Sequence, residues 1–528
     1  MKQTFVDNEL PSKKSKQSIQ WLKFIAILLV TLSVFFRFTN LEQKFYWHDE
    51  VINSFGVAGY TVTEAVGELS QQQEINFGQL QKYQYPNANK NLLSPISVLA
   101  RNEAQNPPLY YLVSWIWFKI FGNSITVARS LSAIISLLIF PAIYWLCQEL
   151  FKSSTVAWTA VILTAVSPFY LLYAQEARPY SLWSVTILAS SFFFLRAIRT
   201  ERKYDWLLYS ISLIGSYYTF PFSLFVAIGH GVYFFGTVQF KNHKNLAQYL
   251  TASLLSIVAF SPWLLFIKIN SHKISDWRSV DVSVLSLIKS WIGNLSRLFL
   301  DLNLDSTAPA IYIIPSSLIL LLLTIYSIYY LCRKTPPSIW LFVITLISVT
   351  AIALVLPDLV SGGQRSRVAR YLTPCYLGIN LAVAYYVGRE ILSKKLWRKL
   401  LSISLLISLI ISGILSCFVS LQANNWWHKS WSKLSSYEDL TTIAQVVNQS
   451  PQSLVIAPQV NQLNEDVFFE LLSLTYLINP NVKLQFGLNP EAITSEYSIF
   501  IYDPLEKSSQ ELSPNQFMPI TDNFWQKK

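Results

Sequence analysis

Apolar runs of about the length a bilayer requires recur along most of this chain, and their recurrence limits the fold more than any other feature. They fall at 21–36, 125–147, 156–173, 181–195, 206–220, 221–235, 249–267, 310–332, 339–356, 371–387 and 400–421, about eleven in all. Of the 528 residues, 52% are hydrophobic and only 13% are charged. A soluble domain carries about 25% charged residues. So little charge does not cover a globular surface, and lipid is the natural solvent. The expected fold class is a polytopic α-helical membrane protein, a bundle of about eleven transmembrane helices. A large first outer loop and a small C-terminal α/β domain complete it.

Charge placement sets the expected topology. The net charge of +11 resides in short stretches between the runs, which fits a positive-inside bias and not a nucleic-acid surface. The basic loops carry Arg196, Arg199, Arg202 and Lys203; Lys241 and Lys244; Arg333 and Lys334; and Arg389, Lys394, Lys395, Arg398 and Lys399. They share a side with Lys13, Lys14 and Lys16 if segment 107–121 lies along the interface and does not span. The N-terminus is then cytoplasmic and the C-terminal part extracytoplasmic, in a plasma (inner) membrane protein. The expected divisions are a cytoplasmic segment 1–20, a transmembrane domain 21–421 with its first loop and juxtamembrane helices at 38–124, and an α/β domain 422–528. No cleavage site follows the first run, which reads as a retained anchor. In the tail, 453–457 and 497–502 read as strands, and 438–448 and 467–478 as amphipathic helices. Cys147, Cys332, Cys375 and Cys417 lie in or beside apolar runs and have no metal or disulfide spacing.

Four polar features fall on the expected outer face. Asp49 and Glu50, after Tyr46, Trp47 and His48, place two carboxylates just past the first run, where a carboxylate can take the proton of an attacking hydroxyl. Asn106, Pro107, Pro108, Leu109, Tyr110 and Tyr111 close the polar loop and start a helix. Tyr173, Ala174, Gln175, Glu176, Ala177, Arg178, Pro179 and Tyr180 make a densely polar link between two runs. The last feature, Gly362 to Tyr371, holds Arg365, Arg367 and Arg370 against the charge bias. Guanidinium groups form forked hydrogen bonds to phosphate, and a lipid phosphate is the natural partner, with Arg129 as a further contributor. A base, a phosphate site and access from lipid are what sugar transfer from a polyprenyl phosphate requires.

These motifs, with Phe121-Gly122-Asn123-Ser124 leading to Arg129, resemble GT-C glycosyltransferases of the protein O-mannosyltransferase and aminoarabinose transferase type. Within that class the chain looks like the family 39, RgtA/B/C/D-like group. The likeness is strong over 21–199, loose through the later runs and nearly absent in the tail. It implies a GT-C bundle and an inverting transfer of a hexose or pentose from a polyprenyl-phosphate donor, on the non-cytoplasmic face. By position Asp49 matches the family's catalytic carboxylate, with Glu50 as its partner. The resemblance assigns donor phosphate to Arg178 and the group Arg365, Arg367 and Arg370; Arg129 and Tyr371 are further candidates for the phosphate, and His48, Asn106, Tyr110, Gln175, Glu176 and Tyr180 are candidates for the substrate site. The family often has His at the position of Asn106, and 61–101 reads as a lineage-specific insertion.

No cofactor is called for, because the lipid-linked sugar is a substrate. No ligand cluster demands a metal, and a divalent ion is left open. The expected partners are the donor, membrane lipids and a hydroxyl acceptor on lipid, glycan or protein, without nucleic acid. The alternative is a transporter or flippase of a lipid-linked saccharide, which shares the arginines but has no need of Asp49.

Overall fold

A computed structural model describes residues 13–72, 74–238, 243–273, 280–304, 310–426, 435–487, 497–502 and 517–528. Lys241 and part of the expected segment 1–20 lie outside them. Within lipid a backbone satisfies its own polar groups, so each apolar run coils into helix. By length and composition, seven helices among the described residues can cross a membrane. They are Ile19–Phe38, Ile125–Phe151, Tyr180–Thr200, His243–Ile269, Ile314–Lys334, Pro337–Ser361 and Leu396–Gln422. An eighth span forms if the bent pair Ser154–Ala165 and Pro168–Ala174 counts as one. The 60° bend of that pair falls where Pro168 removes a backbone donor and opens a new helix. The remaining runs also coil, as Lys203–Thr219, Ser223–Thr237 and Thr373–Glu390. The protein is an integral membrane protein of mostly helical architecture.

The chain divides into two units. Unit 1 holds residues 1–39, 132–265 and 274–422, and the spanning bundle belongs to it. Thr373–Glu390 is its axis, buried along nearly its whole length against Ser154–Ala165, Pro337–Ser361 and Ala310–Lys334. Small residues let helices approach closely, as lipid-embedded packing requires. A methyl group added at Gly413 runs into the carbonyl oxygen of Val166, at the break of the bent pair.

Unit 2 holds residues 40–131, 266–273 and 423–528. Its sheet contains β1 (Glu74–Asn76), β2 (Ser453–Ala457), β3 (Lys483–Phe486), β4 (Ser498–Tyr502), β5 (Phe517–Thr521) and β6 (Phe524–Lys527), in the order β1-β3-β2-β4-β6-β5. Strands β2, β3 and β4 run parallel, and the rest are antiparallel. The sheet is not made of tail residues alone, because β1 comes from the first polar loop and pairs with β3. The helix Glu465–Leu474 packs on the helix His48–Ala58, with the Phe55 ring 5.6 Å from Phe468 and 5.3 Å from Phe469. The tail thereby braces the helix that begins with the acidic pair. That helix ends at Gly59, whose φ of +78° suits glycine and whose missing Cβ leaves room for Ser94. The helix Leu109–Phe121 has 13 residues, about 20 Å of rise against the roughly 30 Å of a hydrocarbon core.

Gly413→Ala is expected to lower stability by about 1–3 kcal/mol, the usual range for overpacking a tight contact. Thermal unfolding of the detergent-solubilised protein checks it, and an unchanged midpoint contradicts the close packing at Val166.

Candidate active site

Trp47 is extended and opens the helix His48–Ala58, so Asp49 and Glu50 occupy its first turn. Carboxylates there suit the partial positive charge of a helix start. Their environments differ. Glu50 has no exposed surface, whereas Asp49 is half-buried, with its Oδ2 enclosed and the rest of the residue part-exposed. Both oxygens of Glu50 accept hydrogen bonds from Arg129, Nε at 2.9 Å and Nη2 at 2.6 Å. Arg129 is 1% exposed, and its other donors go to the carbonyls of Leu41 (2.6 Å), Lys44 (2.8 Å) and Phe45 (2.8 Å). A guanidinium has five N–H groups, and all five are engaged.

This arrangement bears on two expectations. All five N–H groups of Arg129 are engaged within the protein, and together they fix the chain from Leu41 to Glu50. Glu50 is its counter-ion and has no exposed surface. A buried, hydrogen-bonded ion pair explains why two carboxylates stand side by side: one holds the backbone and the other is part-exposed.

The surrounding side chains are tightly held. His48 is buried with its ring edge-on to Phe469, centroids 6.1 Å apart. Tyr46 stacks at 4.7 Å on Tyr476 and hydrogen-bonds Ser54. Burial, then the nearby Glu50 charge, push its hydroxyl pKa well up. Asn106 donates to Glu103 at 3.2 Å, which ties the start of the Pro-Pro motif to the preceding turn. Tyr110 is fully buried. A cavity lined by Phe55, Gly56, Glu103, Tyr111 and Phe469 lies along the same helix. At about 30 Å³ it holds a water and not a sugar.

Unit 1 gathers the other charged motifs. Gln175 Nε2 donates to the carbonyls of Phe36 (2.8 Å) and Thr39 (2.9 Å), fastening the polar link to the end of the first span. Gln175 is therefore a tether, and Glu176 beside it has no exposed surface. Arg178 and Arg370 converge on one ring: their guanidinium carbons lie 5.7 and 5.8 Å from the centroid of Tyr180. Tyr180 in turn packs at 5.1 Å on Tyr173. Two guanidinium groups at one aromatic ring concentrate positive charge there. Tyr371 sits on Phe222 at 5.1 Å and Phe220 at 5.8 Å, so its ring serves packing. Arg365 is held by Asp358 at 3.1 Å, and Asp358 also accepts from the backbone and hydroxyl of Ser366 at 2.7 Å. Arg367 reaches Ser290 (3.2 Å) and Gln364 (3.0 Å). Of the three loop arginines, Arg370 is the one that shares a ring with Arg178. Among the described residues no group of three or more His, Cys, Asp or Glu is placed to hold a metal ion.

One residue escaped the sequence reading. The Lys44 ammonium is buried over the indole of Trp426, 4.3 Å from the centroid, without a hydrogen-bond partner among the described residues. Nothing local marks it, because Trp426 lies near the other end of the chain.

The family described as dolichyl-phosphate-mannose-protein mannosyltransferase matches residues 105–266. This stretch includes the Pro-Pro motif, Arg129 and the polar link, and excludes Asp49 and Arg370. A search of curated proteins finds no match. Among solved structures, ArnT from Cupriavidus metallidurans is similar in its apo state, with a TM-score of 0.52 at 11% identity over 95% of this chain and 97% of that one. The same protein bound to undecaprenyl phosphate gives a TM-score of 0.51 at 10% identity over the same shares. The oligosaccharyltransferase of Archaeoglobus fulgidus in its apo form gives 0.50 at 11% identity, covering 87% of this chain and 64% of that one. The fold is that of the GT-C membrane glycosyltransferases.

Burial, then the charge of Arg129, bring the Lys44 pKa from 10.5 down to about 7. Between those values the unfolded chain binds a proton that the folded chain does not, so stability rises with pH across that window. Melting midpoints of wild type and Lys44→Met, compared from pH 7 to 10, are expected to converge as the pH rises. A constant difference contradicts a neutral, buried Lys44.

Proposed function

We propose that this protein is an inverting glycosyltransferase that moves a hexose or pentose from a polyprenyl-phosphate donor to a hydroxyl on a lipid, glycan or protein. The observation that carries the reading is the convergence of Arg178 and Arg370 on Tyr180 in a GT-C fold. Two guanidinium groups at one point recognise a phosphate, and each offers forked hydrogen bonds. In the reaction the acceptor oxygen attacks the anomeric carbon from the face opposite the phosphate. The bond to the phosphate oxygen breaks, its electron pair leaves with the phosphate, and configuration inverts. Asp49 takes the acceptor proton as the new bond forms. Arg178 and Arg370 stabilise the charge that accumulates on the departing phosphate. Arg365 and Arg367 add positive charge at longer range.

The reaction takes place on the non-cytoplasmic face, with the N-terminus in the cytoplasm and the tail outside. The basic loops support that orientation, because positive charge is retained on the cytoplasmic side. ArnT, whose crystal structure holds undecaprenyl phosphate, supports the donor class.

The test is transfer of radiolabelled sugar from synthetic polyprenyl-phosphate donors by the purified chain in membranes. Asp49→Asn is expected to reduce transfer by about 10²–10⁴-fold, the range for removing a general base. A variant that transfers as well as wild type contradicts the assignment of the base. Absence of transfer by wild type from every donor, with movement of the donor across the bilayer, points to a flippase instead.

A further inference from the structure

The extracytoplasmic function proposed above leaves a cleft in unit 2 without a role. This cleft, of about 370 Å³, opens at the amino ends of the parallel strands, a volume within the roughly 300–1,000 Å³ of small-molecule sites. Ser453 begins β2, Lys483 begins β3 and Tyr497 immediately precedes β4, and all three line it. Amides supply most of the remaining wall: Asn448, Gln452, Asn479 and Asn481.

These amides divide into two kinds. Asn448 is fixed, donating to the Leu477 carbonyl and accepting from the Asn479 backbone, both at 2.8 Å. Asn479 accepts from the Asn481 backbone at 3.0 Å. The side chains of Gln452 and Asn481 are exposed, and no hydrogen bond to the described protein engages them. Gln452 also adopts a φ of +47°, a left-handed conformation that is unfavourable for a non-glycine residue.

The chemistry of the wall narrows the ligand. Among the described residues no carboxylate lines the cleft. The one cation among them, Lys483, is paired with Glu74 at 2.6 Å and lies 5.1 Å from the centre of the Tyr497 ring. A phosphate or a metal ion therefore has little to hold it. Each free amide offers both donors and acceptors, which suits hydroxyl groups that do both. A peptide fits less well. Both edges of β2, β3 and β4 are already paired, so no strand can be added there.

We propose that this cleft binds a neutral saccharide, the non-reacting part of a glycan acceptor, with Gln452 and Asn481 as its hydrogen-bonding groups and Tyr497 as its aromatic wall. The inference rests on the glycosyltransferase reading and names the acceptor class. Held here, a glycan is retained by the α/β part of the chain independently of the donor.

The test uses the full chain in lipid nanodiscs free of sugar detergent. Saturation-transfer NMR is recorded with neutral tetrasaccharides of glucose, mannose, galactose and N-acetylglucosamine, and with a Gly-Ser peptide as the competing class. At least one tetrasaccharide is expected to bind. Gln452→Ala with Asn481→Ala is expected to weaken it about tenfold, as loss of two net hydrogen bonds would. Both residues are exposed, so the variant keeps its fold, whereas Tyr497 packs against the sheet core. Asp49→Asn leaves binding unchanged while transfer is lost, which separates this inference from the catalytic one. No binding by any tetrasaccharide, equal binding by the double variant, or binding of the peptide alone overturns the proposal, even if Asp49-dependent transfer persists.

Discussion

The ion pair between Glu50 and Arg129 is the contact on which the candidate base depends. It is sealed from solvent, doubly hydrogen-bonded, and extended by three carbonyls of the segment that precedes it. Taking two charges out of water costs several kcal/mol each, and only a fully satisfied geometry offsets that cost. Here it is satisfied: every guanidinium donor has an acceptor. The segment 41–45 and the first turn of the helix His48–Ala58 are thus held by one side chain. Asp49, on that same turn, inherits a fixed backbone and stays part-exposed. Orientation of a reacting group is worth a large share of a catalytic barrier, and a rigid clamp behind it is how a chain secures that orientation.

Unit 1 solves a different problem. A guanidinium group in a membrane protein must be held where an anion can reach it and lipid tails cannot. The polar link does so with tethers, Gln175 to the first span and Tyr180 under both Arg178 and Arg370. The loop arginines are sorted by partner. Asp358 pairs with Arg365 and organises the turn, and Arg370 lies over the tyrosine ring.

The spans were the most legible part of the sequence, because lipid imposes one uniform demand on every segment it surrounds. Each of the apolar runs is helical, although Lys203–Thr219, Ser223–Thr237 and Thr373–Glu390 do not meet the length and hydropathy of an independent span. Thr373–Glu390 shows the reason: enclosed by other helices, it has little need of a lipid-facing surface. The two tail strands and two helices were also readable. The three-residue β1 was not, since so short a strand is defined by its partner β3 and not by its own pattern. The site was legible as a set of residue types, but not in its division of labour. Adjacent carboxylates look alike in a sequence, and what separates Asp49 from Glu50 is an arginine 79 residues away. The same holds for Arg129, because an arginine near the end of a span suits a lipid phosphate, and its five acceptors within the protein are seen only in the fold.

A double-mutant cycle on Glu50→Gln and Arg129→Met, read by both thermal stability and sugar transfer, addresses the clamp most directly. Each single change leaves one buried partner without its opposite charge, so each is expected to cost about 3–5 kcal/mol and most of the transfer. The pair together is expected to be more stable than the sum of the two losses, with the difference as the coupling energy. If Glu50→Gln keeps the wild-type melting point and still loses transfer, Glu50 acts in the chemistry itself, and the account of a structural clamp behind Asp49 is wrong.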